Sequence, residues 1–323
     1  MTGSDLTLRL PSGRFNLRVG AVILHEGHLL AMQDENAPYF YLPGGRVRLH
    51  ETAEDALLRE LREELAIDAR ILRPLWAHQN FFTWQVSGER FHEWCLYFLV
   101  DVSGTGLPGL GERFVRHEGW HTHVFTWLDV ATLPSRDLVP PFLREGAAHL
   151  PDSLTLLTRK EGEPAMPADD LSFTTAEGKF SLRVRGLFLH EGRLLTVMED
   201  VYPRWHLPGG RVRLHETAED ALLREMREEV GVAVPMARPL WLNQAFFTGA
   251  DGIRRHEWCL YALLTTPEEL LALGDSFTRQ EDGQRLTFRW TSADALPEGM
   301  EPAFLREALP HIPDTLQLTT HRS

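Results

Sequence analysis

Apolar positions open the chain as two runs. Residues 17–27, "LRVGAVILHEG", are apolar over most of their length, and residues 28–34, "HLLAMQD", follow directly after Gly27. Two short apolar runs hinged at a glycine predict a pair of strands in a hairpin. Residues 42–51, "LPGGRVRLHE", then read as a Gly-rich loop with a short alternating piece. The period changes at Thr52. Leu57, Leu58, Leu61 and Leu65 recur at helical spacing, and the Thr52 hydroxyl, with Asp55 three residues on, has the form of a helix N-cap. Further strands are predicted at 73–84, 92–100 and 123–128, and a short helix near 140–150. Strands outnumber helices but both are present, so the class is mixed α/β.

The same pattern is then written again. "LPGGRVRLHETAEDALLRE" occupies residues 42–60 and 207–225, an offset of 207 − 42 = 165. That offset also carries "FNLRV" onto "FSLRV", Trp76 onto Trp241 and Gln79 onto Gln244; "HEWCLY" recurs one residue short of it. The repeat is too long for a solenoid unit of roughly 20–50 residues. It is a duplicated domain, expected over 1–160 and 171–323, with a polar, Pro-containing linker at 161–170. A length of 323 residues agrees with about two domains.

Charge and cysteine usage narrow the partners. The formal charge of −13 argues against a nucleic-acid backbone. No apolar run approaches the ~18 residues of a membrane span, and the first residues lack a secretory pattern. The two cysteines, Cys95 and Cys259, occupy matching places in the repeat, so they read as two copies of one core residue and fit a reducing cytoplasm.

Candidate chemistry lies on the helix after Thr52. Residues there advance by about 100° each, so Glu60, Glu63 and Glu64 share one face. Ala53 and Ala56 fall on that face, leaving it open to an ion or phosphate. Arg59 stands one turn before Glu63, where it can pair with it. Like charges at this spacing repel by a few tenths of a kcal/mol per pair, which a divalent cation with oxygen ligands would offset. A solvated acidic face is the plain alternative. What tips the balance is contrast: residues 42–64 change once between the copies, at Leu61 and Met226, while their flanks diverge.

These residues resemble the Nudix box, G-x5-E-x7-R-E-U-x-E-E-x-G-U with U bulky and apolar. The second copy matches at Gly210, Glu216, Arg224, Glu225, Met226, Glu228, Glu229, Gly231 and Val232. The first matches at Gly45, Glu51, Arg59, Glu60, Leu61, Glu63, Glu64 and Ile67, with Ala66 where the pattern has Gly. The resemblance implies two Nudix-type α/β/α sandwich domains with mixed sheets. It implies a pyrophosphohydrolase that cleaves a diphosphate linkage in a nucleoside diphosphate joined to another group, with Mg2+ or Mn2+ as cofactor. Carried over residue by residue, Glu60, Glu63, Glu64 and Gly45, and Glu225, Glu228, Glu229 and Gly210, would hold the ion. Arg59 and Arg224 would orient the glutamates, and Glu51 and Glu216 would brace the loop. Ala66 is expected to adopt a left-handed turn at about 1 kcal/mol and to leave metal binding intact.

Outside the box, two acidic positions recur as candidates for a general base or further ligand: Glu93/Glu257 on a strand, and Glu118/Glu281 in a loop, the latter favoured. Phe81, Phe82, Phe246 and Phe247 could stack on a nucleobase or belong to the core. The small-molecule substrate stays open between nucleoside triphosphates and nucleotide sugars, because none of the subfamily markers past the box is present. Two alternatives stand beside the enzyme reading: a nucleotide-binding sensor without turnover, and one catalytic domain with a structural twin. Two fused copies could also pack as an intramolecular pseudo-dimer.

Overall fold

The computed structural model describes residues 3–34, 37–119, 121–161, 169–281 and 283–323; the side chains of Glu118 and Tyr202 fall outside the description. The chain divides into two compact units, Met1–Gly162 and Glu163–Ser323. Most of the linker expected at 161–170 lies outside the described residues.

In the first unit the elements are β1 (Thr7–Leu10), β2 (Gly13–His25), β3 (His28–Asp34), β4 (Ala37–Tyr41), α1 (Ala53–Leu65), β5 (Arg70–Thr83), β6 (Arg90–Asp101), β7 (Arg113–Glu118), β8 (His121–Asp129), α2 (Leu143–Gly146) and β9 (Thr155–Lys160). The hairpin predicted from the opening runs is β2–β3. Its turn residues Glu26 and Gly27 both have positive φ, 46° and 77°, as a two-residue hairpin whose twist matches its strands requires. The strand order β7-β8-β3-β2-β6-β5-β9 is mixed: β2 runs parallel to β6, β5 parallel to β9, and the other neighbours in that order are antiparallel. β2 joins the two wings, pairing with β6 over residues 14–23 and with β3 only at its end. Its central position explains the apolar run over residues 19–24 and the burial of most of its length. Trp76, Tyr97, Val22, Leu29 and Leu143 form the core on one side.

The second unit repeats this. β10 (Ser172–Thr175), β11 (Gly178–His190), β12 (Arg193–Glu199), β13 (Tyr202–His206), α3 (Ala218–Glu225), β14 (Met236–Thr248), β15 (Arg254–Leu264), α4 (Glu268–Leu271), β16 (Ser276–Glu281), β17 (Gln284–Ser292), α5 (Leu305–Ala308) and β18 (Gln317–Arg322) follow the same strand order and pairing, with α4 where the first unit has a 3-10 turn at Leu107–Leu110. Cys95 and Cys259 are buried free thiols. No helix of the described residues is long and apolar enough to cross a membrane.

The helix begins where its cap predicted. Thr52 accepts a hydrogen bond from the Asp55 N–H at 3.0 Å, and Thr217 does the same for Asp220. α1 packs on β2, β5 and β7, and Leu57, Leu61 and Leu65 are among its buried residues. Ala53 and Ala56 are fully buried. The expectation that they leave a face open to a ligand is therefore corrected: their small size lets the helix sit close to the sheet.

Candidate active site

The glycine loop is laced to the central strand before it meets the helix. Val19 N–H donates to the Gly45 carbonyl at 2.9 Å and Ala21 N–H to that of Pro43 at 2.8 Å. Gly44 has φ 140°, and a Cβ there would run into the Val19 carbonyl; only glycine fits this close approach. Gly45 serves a different purpose: a Cβ on it would occupy the place of the Glu60 carboxylate, and one on Gly210 that of Glu225. The loop then holds the last glutamate of each trio, with Gly44 N–H donating to Glu64 Oε2 at 3.0 Å and Gly209 N–H to Glu229 Oε2 at 2.8 Å.

One arginine per unit organises the rest. Arg59 forks onto Glu51 through Nε (2.8 Å) and Nη2 (2.9 Å), while Nη1 reaches Glu60 at 2.6 Å and Glu63 at 3.1 Å. Nη2 also donates to the Arg46 carbonyl at 2.9 Å. Arg224 repeats the pattern on Glu216, Glu225, Glu228 and the Arg211 carbonyl. Burial alone would lower the pKa of these guanidinium groups, but the carboxylates outweigh it and hold both above their ordinary value. Glu51 in turn accepts from Arg48 N–H at 3.0 Å, so loop and helix are joined through one bidentate pair. His50 and His215 sit in the preceding turn at φ 67° and 66°.

In the second unit a carboxylate from another element completes the group. Oxygen atoms of Glu225, Glu228 and Glu281 lie within 4.8 Å of one another. Glu281 ends β16 and its counterpart Glu118 ends β7, which corrects the loop expected for both; the Glu118 side chain lies outside the described residues. Burial pushes the Glu229 carboxyl up to about 8, with Arg185 and the Gly209 N–H pulling it down. Glu225 is raised as well, by burial first. An all-oxygen set of converging carboxylates suits a hard divalent ion such as Mg2+ or Mn2+, and it is close enough to compensate such a charge.

The remaining candidates are placed elsewhere. Glu93 and Glu257 are half-buried on β6 and β15, facing Arg18 at 3.7 Å and Arg183 at 2.9 Å. Burial raises the Glu93 carboxyl against the pull of Arg18. Phe81 and Phe246 are buried, with ring centroids 4.4 Å from His92 and His256. They are core residues, which corrects the stacking role. Phe82 stacks on Phe91 at 4.9 Å, and Phe247 is half-buried on β14. Ala66 takes the left-handed conformation (φ 57°, ψ 41°), its N–H donating to Arg62 O at 3.1 Å. In the second unit Met226–Val230 wind as a π-helical turn, and Gly231 N–H reaches Met226 O at 2.9 Å.

Sequence reasoning missed the arginines on the central strands. Arg18 and Arg183 were visible as charges inside otherwise apolar runs. Arg185 stood at a position where the copies disagree, opposite Gly20. It also missed a polar pair beside the loop, Tyr41 donating to Asp34 at 2.5 Å, replaced in the second unit by His206 at 3.4 Å from Glu199.

The NUDIX domain model matches residues 14–149 and again 181–312. The chain belongs to the NUDIX family. It carries two Nudix domains in tandem. Nudix hydrolases generally need a divalent ion and act on small nucleotide-derived substrates. Over 126 residues the chain is 40% identical to the "Low-salt glycan biosynthesis protein Agl8" of Haloferax volcanii, covering 34% of this chain and 78% of that protein. Over 78 residues it is 36% identical to the "CTP pyrophosphohydrolase" of Escherichia coli, 23% of this chain and 55%, about half, of that relative. Among solved structures, the MutT NUDIX hydrolase from Burkholderia pseudomallei is 22% identical, covers 42% of this chain and 98% of its own, and has a TM-score of 0.31.

Proposed function

We propose that each Nudix domain uses Mg2+ or Mn2+ to hydrolyse the diphosphate linkage of a nucleoside diphosphate joined to another group, in the nucleoside triphosphate or nucleotide sugar class. The observation that carries this is the convergence of Glu225, Glu228 and Glu281 within 4.8 Å. The name of the CTP pyrophosphohydrolase relative favours the nucleoside triphosphate side of that class.

On this reading Glu60, Glu63 and Glu64, and Glu225, Glu228 and Glu229, hold the ion, with the glycine loop beside them. A bound cation would neutralise diphosphate charge and lower the pKa of a water poised for attack. Arg59 and Arg224 fix the carboxylates, because each guanidinium bridges two of them to the loop. Glu281 reaches the trio from β16, and Glu118 is its equivalent by sequence. Glu93 and Glu257 hold Arg18 and Arg183 in place instead of acting as a base.

The test is a nucleotide panel with each ion, products resolved by chromatography, for the parent and for Glu60→Gln combined with Glu225→Gln. The expected result is release of a nucleoside monophosphate, lost in the double variant and in EDTA. Full turnover in EDTA would sink the reading.

A further inference from the structure

The two sites share a box but differ at one position on the central strand. β2 carries Gly20 where β11 carries Arg185. A Cβ at Gly20 would stand 2.8 Å from two ring carbons of Tyr97, so no side chain enters at this position of β2, although Arg18 two residues before lies beside Glu93 in the first unit as Arg183 lies beside Glu257 in the second. β11 moves its glycine one residue on, to Gly186, and an arginine takes the vacated place. Nη1 of Arg185 donates to the carbonyl oxygens of Leu207 and Gly209, each at 2.7 Å. It also lies 3.4 Å from His206 Nδ1. The Gly209 it holds by the carbonyl is the same residue whose N–H holds Glu229. The arginine therefore brings a fixed positive charge to the glycine loop, one peptide unit from the acidic trio, and occupies an oxygen lone pair there. Gly20 offers neither.

Resting on the reading of the trios as cation sites, we infer that Arg185 is a resident cation of the second Nudix site. It weakens divalent-ion binding there, so that the first domain is the high-affinity site and the second the low-affinity one. A guanidinium repels an incoming divalent charge through a poorly screening interior. It also occupies the carbonyl of Gly209, the residue whose N–H holds Glu229. The two domains thus respond to different ranges of free cation, and the second works fully only where the ion is abundant.

The experiment is Mn2+ binding to the full chain, read by electron paramagnetic resonance of the free ion. Glu225→Gln with Glu228→Gln isolates the first site, and Glu60→Gln with Glu63→Gln isolates the second. The second site is expected to bind about tenfold more weakly, the scale on which groups just outside a ligand shell tune affinity. In the second-site background, Arg185→Met should tighten Mn2+ by about the same factor, and Arg185→Lys should leave it weak. Equal affinities at the two sites, an Arg185→Met protein with unchanged affinity, or equal tightening by Met and Lys would each overturn the inference. The comparison of sites needs no change at Arg185, so a Met variant that fails to fold does not remove the test. Absence of Mn2+ from both sites would overturn the reading of the trios as well.

Discussion

Replacing Glu229 by Gln should change how the stability of the second domain depends on pH. Glu229 is 7% exposed, and its carboxyl is raised from 4.5 to about 8, by burial first. The folded protein therefore keeps a proton that the unfolded chain releases above about 4.5. A raised pKa contributes stability that is whole below the unfolded value and lost as pH climbs through the folded one. For the metal-free protein the loss runs from about pH 4.5 to about pH 8. The interval of 3.5 units (8 − 4.5), at about 1.36 kcal/mol each, gives about 5 kcal/mol. Relaxation around the charged form makes that a ceiling. Gln keeps an oxygen to accept from Gly209 N–H and carries no charge. For a domain of this size each kcal/mol moves Tm by about 2–4 °C, so the ceiling is about 10–20 °C. Calorimetry in EDTA between pH 5 and pH 8.5 should show the second domain's transition falling in the parent and staying level in Glu229→Gln. Superimposable profiles for the two proteins would refute the burial argument.

Two further outcomes are expected. Ala66→Gly should stabilise the first domain by about 1 kcal/mol, since Ala at φ 57° bears the left-handed penalty that Gly escapes; urea unfolding of the two proteins checks it. His78, 2% exposed and held down at about 4 by burial and then by Arg159, has the opposite sign from Glu229. Its contribution is whole above pH 6.5 and lost as pH falls toward 4, by about 3 kcal/mol at most. His78→Phe should flatten that acid limb in thermal melts.

What could be read from the sequence was whatever a single segment decides for itself. The β2–β3 hairpin was legible because two apolar runs meet at Glu26-Gly27, and α1 because Thr52 and Asp55 announce its start. β4, β7 and β9 were not, because "APYFY", "RFVRHE" and "TLLTRK" are short edge or near-edge pieces whose strand state comes from their neighbours. Glu118 and Glu281 were read as loop residues for that reason: Gly119 and Gly283 close by look like turn signals, yet the ladder with β8 and β17 extends to the glutamates themselves. Phe81 and Phe246 show the converse. A pair of adjacent phenylalanines on a strand must point to opposite faces, and one of the two is buried in each domain.

The long identical stretch has a physical reason that also limits what it says. Every partner of Arg59 named above, from the Arg46 carbonyl through Glu51 and Glu60 to Glu63, lies between residues 46 and 63. A change at Glu51, Glu60 or Glu63 breaks a contact that no other part of the chain can restore, so these positions tolerate little drift. The groups that approach it from outside are under no such closed constraint: Gly20 against Arg185 on the central strand, Tyr41 against His206 beside the loop. Identity of the box therefore fixes the chemistry that two sites share and leaves their affinities free to part. The difference is carried by residues that an alignment of boxes never includes, and it enters through the strands that the loop is laced to.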